Sequence, residues 1–223
     1  MAEAAGVPGI YVIAGTNGAG KSSIAGAMFR QHGVEAFDPD AAARRIAARL
    51  PGLSPIEVNS AAWHQGRRLL EQAIAERLSF AFETTLGGTT MAGLLERALA
   101  AGLEVRVWYV GLDSPERHLA RVRARVARGG HDIPEATVRR RFHTSRLQLV
   151  RLLPRLTELR VYDNSAEADP AAGVAPEPRL LLHTRGGRIV ASCPLATTPA
   201  WAKPIMAAAV KTSGEAPLAV SGA

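Results

Sequence analysis

At 223 residues the chain has the size of one α/β domain with a small appendage, and its 47% hydrophobic content is that of a globular protein. No window reaches the roughly 18 to 20 apolar residues of a membrane-spanning helix, and the lone cysteine, Cys193, excludes an internal disulfide framework and suits a reducing cytoplasm. The net charge of +7 resides almost wholly in arginine, Lys21, Lys203 and Lys211 being the only lysines; with aromatic residues at 5% there is no base-stacking platform, so nucleotide phosphates are expected partners ahead of nucleic acid.

Ile10 to Ala14 is a short apolar run that predicts a buried strand. It leads into Gly15-Thr-Asn-Gly-Ala-Gly-Lys21-Ser22, a complete G-x-x-x-x-G-K-[ST] phosphate loop, and then into a helical pattern carried by Ile24, Ala25, Ala27, Met28 and Phe29. Glycines let successive backbone N–H groups turn toward phosphate oxygens, and the following helix aims its positive end at the same place. Gly15, Asn17, Gly18, Ala19, Gly20, Lys21, Ser22 and Ser23 are therefore the predicted ATP cradle. Lys21 faces the β/γ-phosphates and the Ser22 hydroxyl faces Mg²⁺.

A second short strand, Val34 to Phe37, ends in Asp38-Pro39-Asp40 and a helix from Ala41 to Leu50. Ser54-Pro55-Ile56-Glu57 is a capping box that opens a long amphipathic helix ending near Arg77. Ser79 to Phe82 reads as the next strand, delivering Glu83-Thr84-Thr85 at its end. A helix then runs to Ala101 and a strand spans Val105 to Val110. Two arginine-rich helices follow, one capped by Asp113 or Ser114 and running to about Arg128, the other from Ile133-Pro134-Glu135 to about Leu153. Leu159 to Tyr162, closing on Asp163-Asn164-Ser165, completes a predicted parallel sheet of about five strands flanked by helices, a three-layer phosphate-loop NTPase fold.

The predicted core occupies residues 1–165, with a helical lid at about 115–152. Residues 166–223 read as an Ala/Pro/Gly linker, a hairpin of Leu180 to His183 with Ile189 to Ala191, and a loosely attached tail beyond Thr197.

Ligands of open α/β sheets bind outside the carboxyl ends of the strands. Asp40 is the predicted general base for an acceptor hydroxyl, with Asp38 as rival and helix capping as the competing role for both. Glu83, at the end of an apolar strand, is expected to bind acceptor hydroxyls, to hold Mg²⁺ through water, or to form a structural ion pair, with Thr84 and Thr85 lining the same pocket. Arg125, Arg128 and Arg140 are the candidates for closing over the transferring phosphoryl, unless the arginines simply balance Glu116 and Glu135 on the surface. Asn164 is expected to touch an adenine edge or to order its own turn, and His131 to order the Gly129-Gly130 turn.

Gly15 to Ser23, Asp38-Pro39-Asp40, Phe82-Glu83-Thr84-Thr85-Leu86, Gly129-Gly130-His131-Asp-Ile-Pro134 with Arg139-Arg140-Arg141-Phe142, and Tyr162-Asp163-Asn164-Ser165 together resemble the zeta-toxin-like family of phosphate-loop kinases, over about residues 9 to 165. The resemblance implies an ATP-dependent kinase that, in the toxins, phosphorylates the sugar of UDP-N-acetylglucosamine. It gives Lys21 and Ser22 to ATP and Mg²⁺, Asp40 to deprotonation of the sugar hydroxyl, and Glu83 and Thr84 to the acceptor. An antitoxin partner is implied as well, although no antitoxin segment is visible within the chain. Two other readings stay open from the residues themselves: an ATP-gated switch acting on a partner, and a basic nucleic-acid clamp.

Overall fold

A computed structural model describes residues 7–21, 36–130, 132–166 and 177–214. The helix expected after Lys21, with Ser22 and Ser23, therefore lies outside the described residues, as do Val34, His131 and most of the expected linker.

Seven strands form one sheet in the order β2-β3-β1-β4-β5-β6-β7. β1 (Gly9–Ala14), β2 (Ala36–Phe37), β3 (Phe80–Thr84), β4 (Glu104–Gly111) and β5 (Glu158–Asp163) are parallel, as the alternation of strand and helix predicts. The central strands carry apolar runs because both of their faces lie inside the protein: Ile10, Val12 and Ile13 of β1 and Val105, Val107 and Val110 of β4 are buried. Among the described residues six helices accompany them: α1 (Pro39–Arg49), α2 (Pro55–Glu76), α3 (Thr89–Ala100), α4 (Pro115–Val126), α5 (Glu135–Leu152) and α6 (Lys203–Ser213). The Ser54/Glu57 capping box opens α2 and Ser114 caps α4, each with proline at the start of its helix.

The C-terminal region departs from expectation. β6 (Arg179–Arg185) and β7 (Arg188–Ser192) do form a hairpin, but β6 pairs antiparallel with β5, so the hairpin extends the main sheet. Residues 198–214 are no loose tail: Trp201, Ile205, Met206 and Ala209 are buried, and α6 packs against the core. The Arg146 guanidinium donates to the Trp201 carbonyl at 3.1 Å, and the Trp201 indole lies against Gly111, where an added Cβ would meet it at 2.4 Å. Trp201→Ala is expected to lower the unfolding free energy by about 3–5 kcal/mol in urea titrations, since a buried indole would be replaced by a cavity. A loss below about 1 kcal/mol would mean that this segment adds nothing to the fold.

Candidate active site at the phosphate loop

The turn after β1 brings backbone and one cation to a single point. Lys21 is 8% exposed; its Nζ donates to the Gly15 carbonyl at 2.8 Å and stands 3.5 Å from Glu83 Oε1. Burial pushes the Lys21 pKa down, Glu83 pulls it back up, and the Arg125 and Arg141 charges push it down further. The loop is shaped by its surroundings as much as by its glycines. Gly18 adopts φ +81° with the His118 carbonyl 2.6 Å from where a Cβ would stand, and Gly20 adopts φ +87° with Asn164 Nδ2 at 2.4 Å. Any side chain at either position meets both strain and a clash.

Asn164 does not present a free edge to a base. It is 2% exposed, its Nδ2 donates to the Ala19 carbonyl at 2.9 Å, and Oδ1 has no partner among the described residues. Strand β5 ends beside the phosphate loop, so the residue after it braces the loop from behind. Arg121 on α4 completes that brace by donating to the Asn164 carbonyl at 2.8 Å.

His118, also on α4, is a site neighbour without a sequence signal. Its ring is buried, and Nδ1–H donates to the Asn17 carbonyl at 2.8 Å. Burial pushes its pKa from 6.5 down to about 4, against the pull of that carbonyl and with help from the Lys21 charge. A histidine held neutral in the folded state, and protonated more readily when unfolded, contributes stability that is complete above pH 6.5 and is lost as pH falls toward 4. Roughly 3 kcal/mol should disappear over that window. Urea midpoints measured against pH should show this slope in the wild type and a flatter profile in His118→Gln; equal slopes would remove His118 as the cause.

The arginines sort differently from expectation. Arg141 of α5 is half-buried and its Nη1 donates to Asn17 Oδ1 at 2.9 Å, whereas Arg125, Arg128 and Arg140 were the arginines expected to close over the transferring phosphoryl. Burial, then the neighbouring Arg140 charge, push the Arg141 pKa down. Arg140 and Arg125 are exposed, and Arg128 is tied to its own helix, donating to the Ala124 carbonyl at 3.1 Å. Arg123 and Arg139 balance Glu135, and Arg139 also Glu116, as a surface ladder. The expected lid is partly fixed: Leu149 and Leu152 of α5 lie in the core, and Thr144 donates to the Gly87 carbonyl at 2.8 Å.

On the other side of Lys21, Phe37 pairs with Phe82, so Asp38 and Glu83 follow side by side on neighbouring strands. Asp38 caps α1: Oδ1 accepts from Asp40 N at 2.8 Å and Ala41 N at 3.1 Å. Asp40 is exposed in the first turn, where the helix dipole favours its negative charge. The Thr84 hydroxyl accepts from Leu86 N at 3.1 Å, and Thr85 contributes a carbonyl to Ser145. A cavity of about 320 Å³ opens beside Asp38, lined by Phe37, Ala41, Arg45, Leu69 and Phe80 among others. Among the described residues no group of three His, Cys, Asp or Glu side chains could hold a metal ion.

A seven-stranded mixed sheet with a phosphate loop after its first strand, Glu83 beside the loop lysine and Arg141 reaching Asn17 from α5 has the phosphate-loop fold of zeta toxins. The chain belongs to the Zeta toxin family, whose sequence profile matches residues 2–169. An uncharacterized protein of Haemophilus influenzae is 35% identical over 129 residues, covering 57% of this chain and 88% of its own length. Among solved structures, the AvrRxo1-ORF1:AvrRxo1-ORF2 complex with sulphate ions aligns with TM-score 0.62 and 18% identity over 96% of this chain, which spans 66% of the length of that one. A second structure of that complex, with ATP, aligns equally well. The PezAT chromosomal toxin-antitoxin system of Streptococcus pneumoniae aligns with TM-score 0.55 and 14% identity, over 78% of this chain and 75% of its own. No helix among the described residues is long and apolar enough to cross a membrane.

Proposed function

We propose that the protein is an ATP-dependent kinase that transfers the γ-phosphoryl group to a hydroxyl of a nucleotide sugar, with UDP-N-acetylglucosamine as the first acceptor to test. The observation that carries the reading is the convergence on one buried lysine of the loop carbonyls, Glu83 and the Arg141–Asn17 contact, with the Asp38/Asp40 turn beside Glu83. A pure nucleotide switch needs no acidic turn on the acceptor side of the γ-phosphate.

In this reading the loop N–H groups of Gly18 to Lys21 cradle the triphosphate and Lys21 neutralises charge on its β/γ end. The acceptor oxygen attacks the γ-phosphorus, the bond to the β,γ-bridging oxygen breaks, ADP leaves, and the hydroxyl proton passes to the Asp40 carboxylate. Glu83 and Thr84 contact the acceptor, and Arg141 stabilises charge spread over the equatorial oxygens. Mg²⁺ would be held by the Ser22 hydroxyl and phosphate oxygens, which requires no dedicated protein cage, and would neutralise charge between the β- and γ-phosphates. The aromatic walls and Arg45 of the cavity beside Asp38 suit the base and phosphates of a nucleotide sugar. A partner protein that restrains the activity fits the toxin-antitoxin context of PezAT, and a cytoplasmic setting fits the single reduced cysteine.

The test is direct: incubation with γ-labelled ATP and a panel of nucleotide sugars, followed by mass spectrometry, should yield a phosphosugar that disappears with Lys21→Ala. ATP turnover that is the same with and without every sugar nucleotide would remove the acceptor assignment.

A further inference from the structure

Two carbonyls of the phosphate loop are held by side chains from elsewhere in the fold. The Asn17 carbonyl accepts from His118 Nδ1 on α4 at 2.8 Å, and the Ala19 carbonyl accepts from Asn164 Nδ2, just past β5, at 2.9 Å. A carbonyl has no proton to give, so both side chains are the donors. His118 is 1% exposed and Asn164 2%, so water does not compete for either bond. A trans peptide is planar, and its C=O and the N–H of the next residue point in opposite directions. Fixing these two carbonyls therefore fixes the N–H groups of Gly18 and Gly20, turning them away from α4 and from the end of β5.

We propose that His118 and Asn164 are positioning residues that aim the Gly18 and Gly20 amides at the phosphates of the nucleotide, so that the loop is an anion cradle before the ligand arrives. The proposal rests on the nucleotide-binding reading given above. The two glycines whose amides are aimed are also the two against which the braces close. An added Cβ would lie 2.6 Å from the His118 carbonyl oxygen at Gly18 and 2.4 Å from Asn164 Nδ2 at Gly20, so a side chain at either position would push the brace off the peptide it orients. The braces are fixed in turn. The Phe142 ring of α5 meets the His118 imidazole edge-on with centroids 5.7 Å apart, and Arg121 of α4 donates to the Asn164 carbonyl at 2.8 Å. Donors held in this way receive a phosphate oxygen without having to reorganise as its charge arrives.

Titration with the non-hydrolysable analogue AMP-PNP tests the positioning role with no acceptor present. In wild-type ¹H–¹⁵N spectra the Gly18 and Gly20 amide protons should move downfield on binding, as amides do when they donate to a phosphate oxygen. His118→Phe keeps a ring against Phe142 but removes the donor, and should shrink the Gly18 displacement while sparing Gly20; Asn164→Leu should do the reverse. Each should weaken AMP-PNP binding about ten-fold by calorimetry, the worth of one well-aimed hydrogen bond to a charged group. His118→Gln retains an N–H and should recover most of that loss. Ile189→Ala truncates the core on β7, with three strands between it and β1, and should leave both displacements and the affinity unchanged. An unchanged Gly18 displacement in His118→Phe overturns the role of His118, and an unchanged Gly20 displacement in Asn164→Leu that of Asn164, so either variant decides its own residue. Equal loss at both glycines in each variant, a weakening as large in Ile189→Ala, or wild-type binding that moves neither amide overturns both. Absence of saturable AMP-PNP binding by the wild type instead overturns the nucleotide reading itself, a distinct result with which the positioning role also falls.

Discussion

Asp40→Asn is expected to lower turnover by about 10²–10⁴-fold while leaving the KM for ATP unchanged, because a general base contributes on that scale and asparagine cannot take the proton. The substitution is nearly isosteric and the residue is exposed in the first turn of α1, so the unfolding free energy should move by less than about 0.5 kcal/mol. Its neighbour provides the contrast. Asp38 Oδ1 holds two backbone N–H groups of α1, and Asp38→Ala should reduce stability by about 1 kcal/mol through loss of the cap. If Asp38→Ala abolishes turnover and Asp40→Asn leaves it intact, the base is the capping residue and the roles are exchanged. Single-turnover assays with a nucleotide sugar, paired with urea titrations, separate the two outcomes.

Arg141→Ala should reduce turnover by about 10²–10³-fold, the cost of removing one preorganised donor from developing phosphoryl charge. Arg141→Lys should recover little, because an ammonium cannot reproduce the planar fork that reaches Asn17. Arg140→Ala, one residue away, should change turnover by no more than a few-fold. The reverse ranking in steady-state assays would show that α5 moves on nucleotide binding far enough to exchange these two side chains.

The one-residue difference between Arg140 and Arg141 explains what sequence reasoning reached and what it did not. Val138, Phe142, Ser145, Leu149 and Leu152 mark the buried stripe of α5. On a 3.6-residue period Arg141 flanks that stripe and Arg140 points nearly opposite, so helical phase could have chosen between them where spacing alone did not. The parallel strands were legible because β1 is apolar throughout and β4 is apolar from Val107 on, and the α2 start because Ser54 and Glu57 satisfy each other. The C-terminal helix was obscured by alanine and proline, although Trp201, Ile205, Met206 and Ala209 repeat at helical spacing. His118 had no local signal at all. It is a polar residue buried by a partner far along the chain, and only tertiary packing brings Asn17 to it. Asn164 was placed correctly at a strand end, yet the close passage of the phosphate loop turns its amide inward.

The central claim is that the space between Lys21, Glu83, Arg141 and the Asp38/Asp40 turn receives an alcohol in line with the γ-phosphorus. A co-crystal structure with AMP-PNP and UDP-N-acetylglucosamine examines it most directly. The account predicts an acceptor hydroxyl within about 2.6–3.2 Å of an Asp40 carboxylate oxygen and about 3–3.5 Å from the γ-phosphorus. A nucleotide seated on the loop with Asp40 turned away from its terminal phosphate, or with the protein's own chain filling that space, would contradict it.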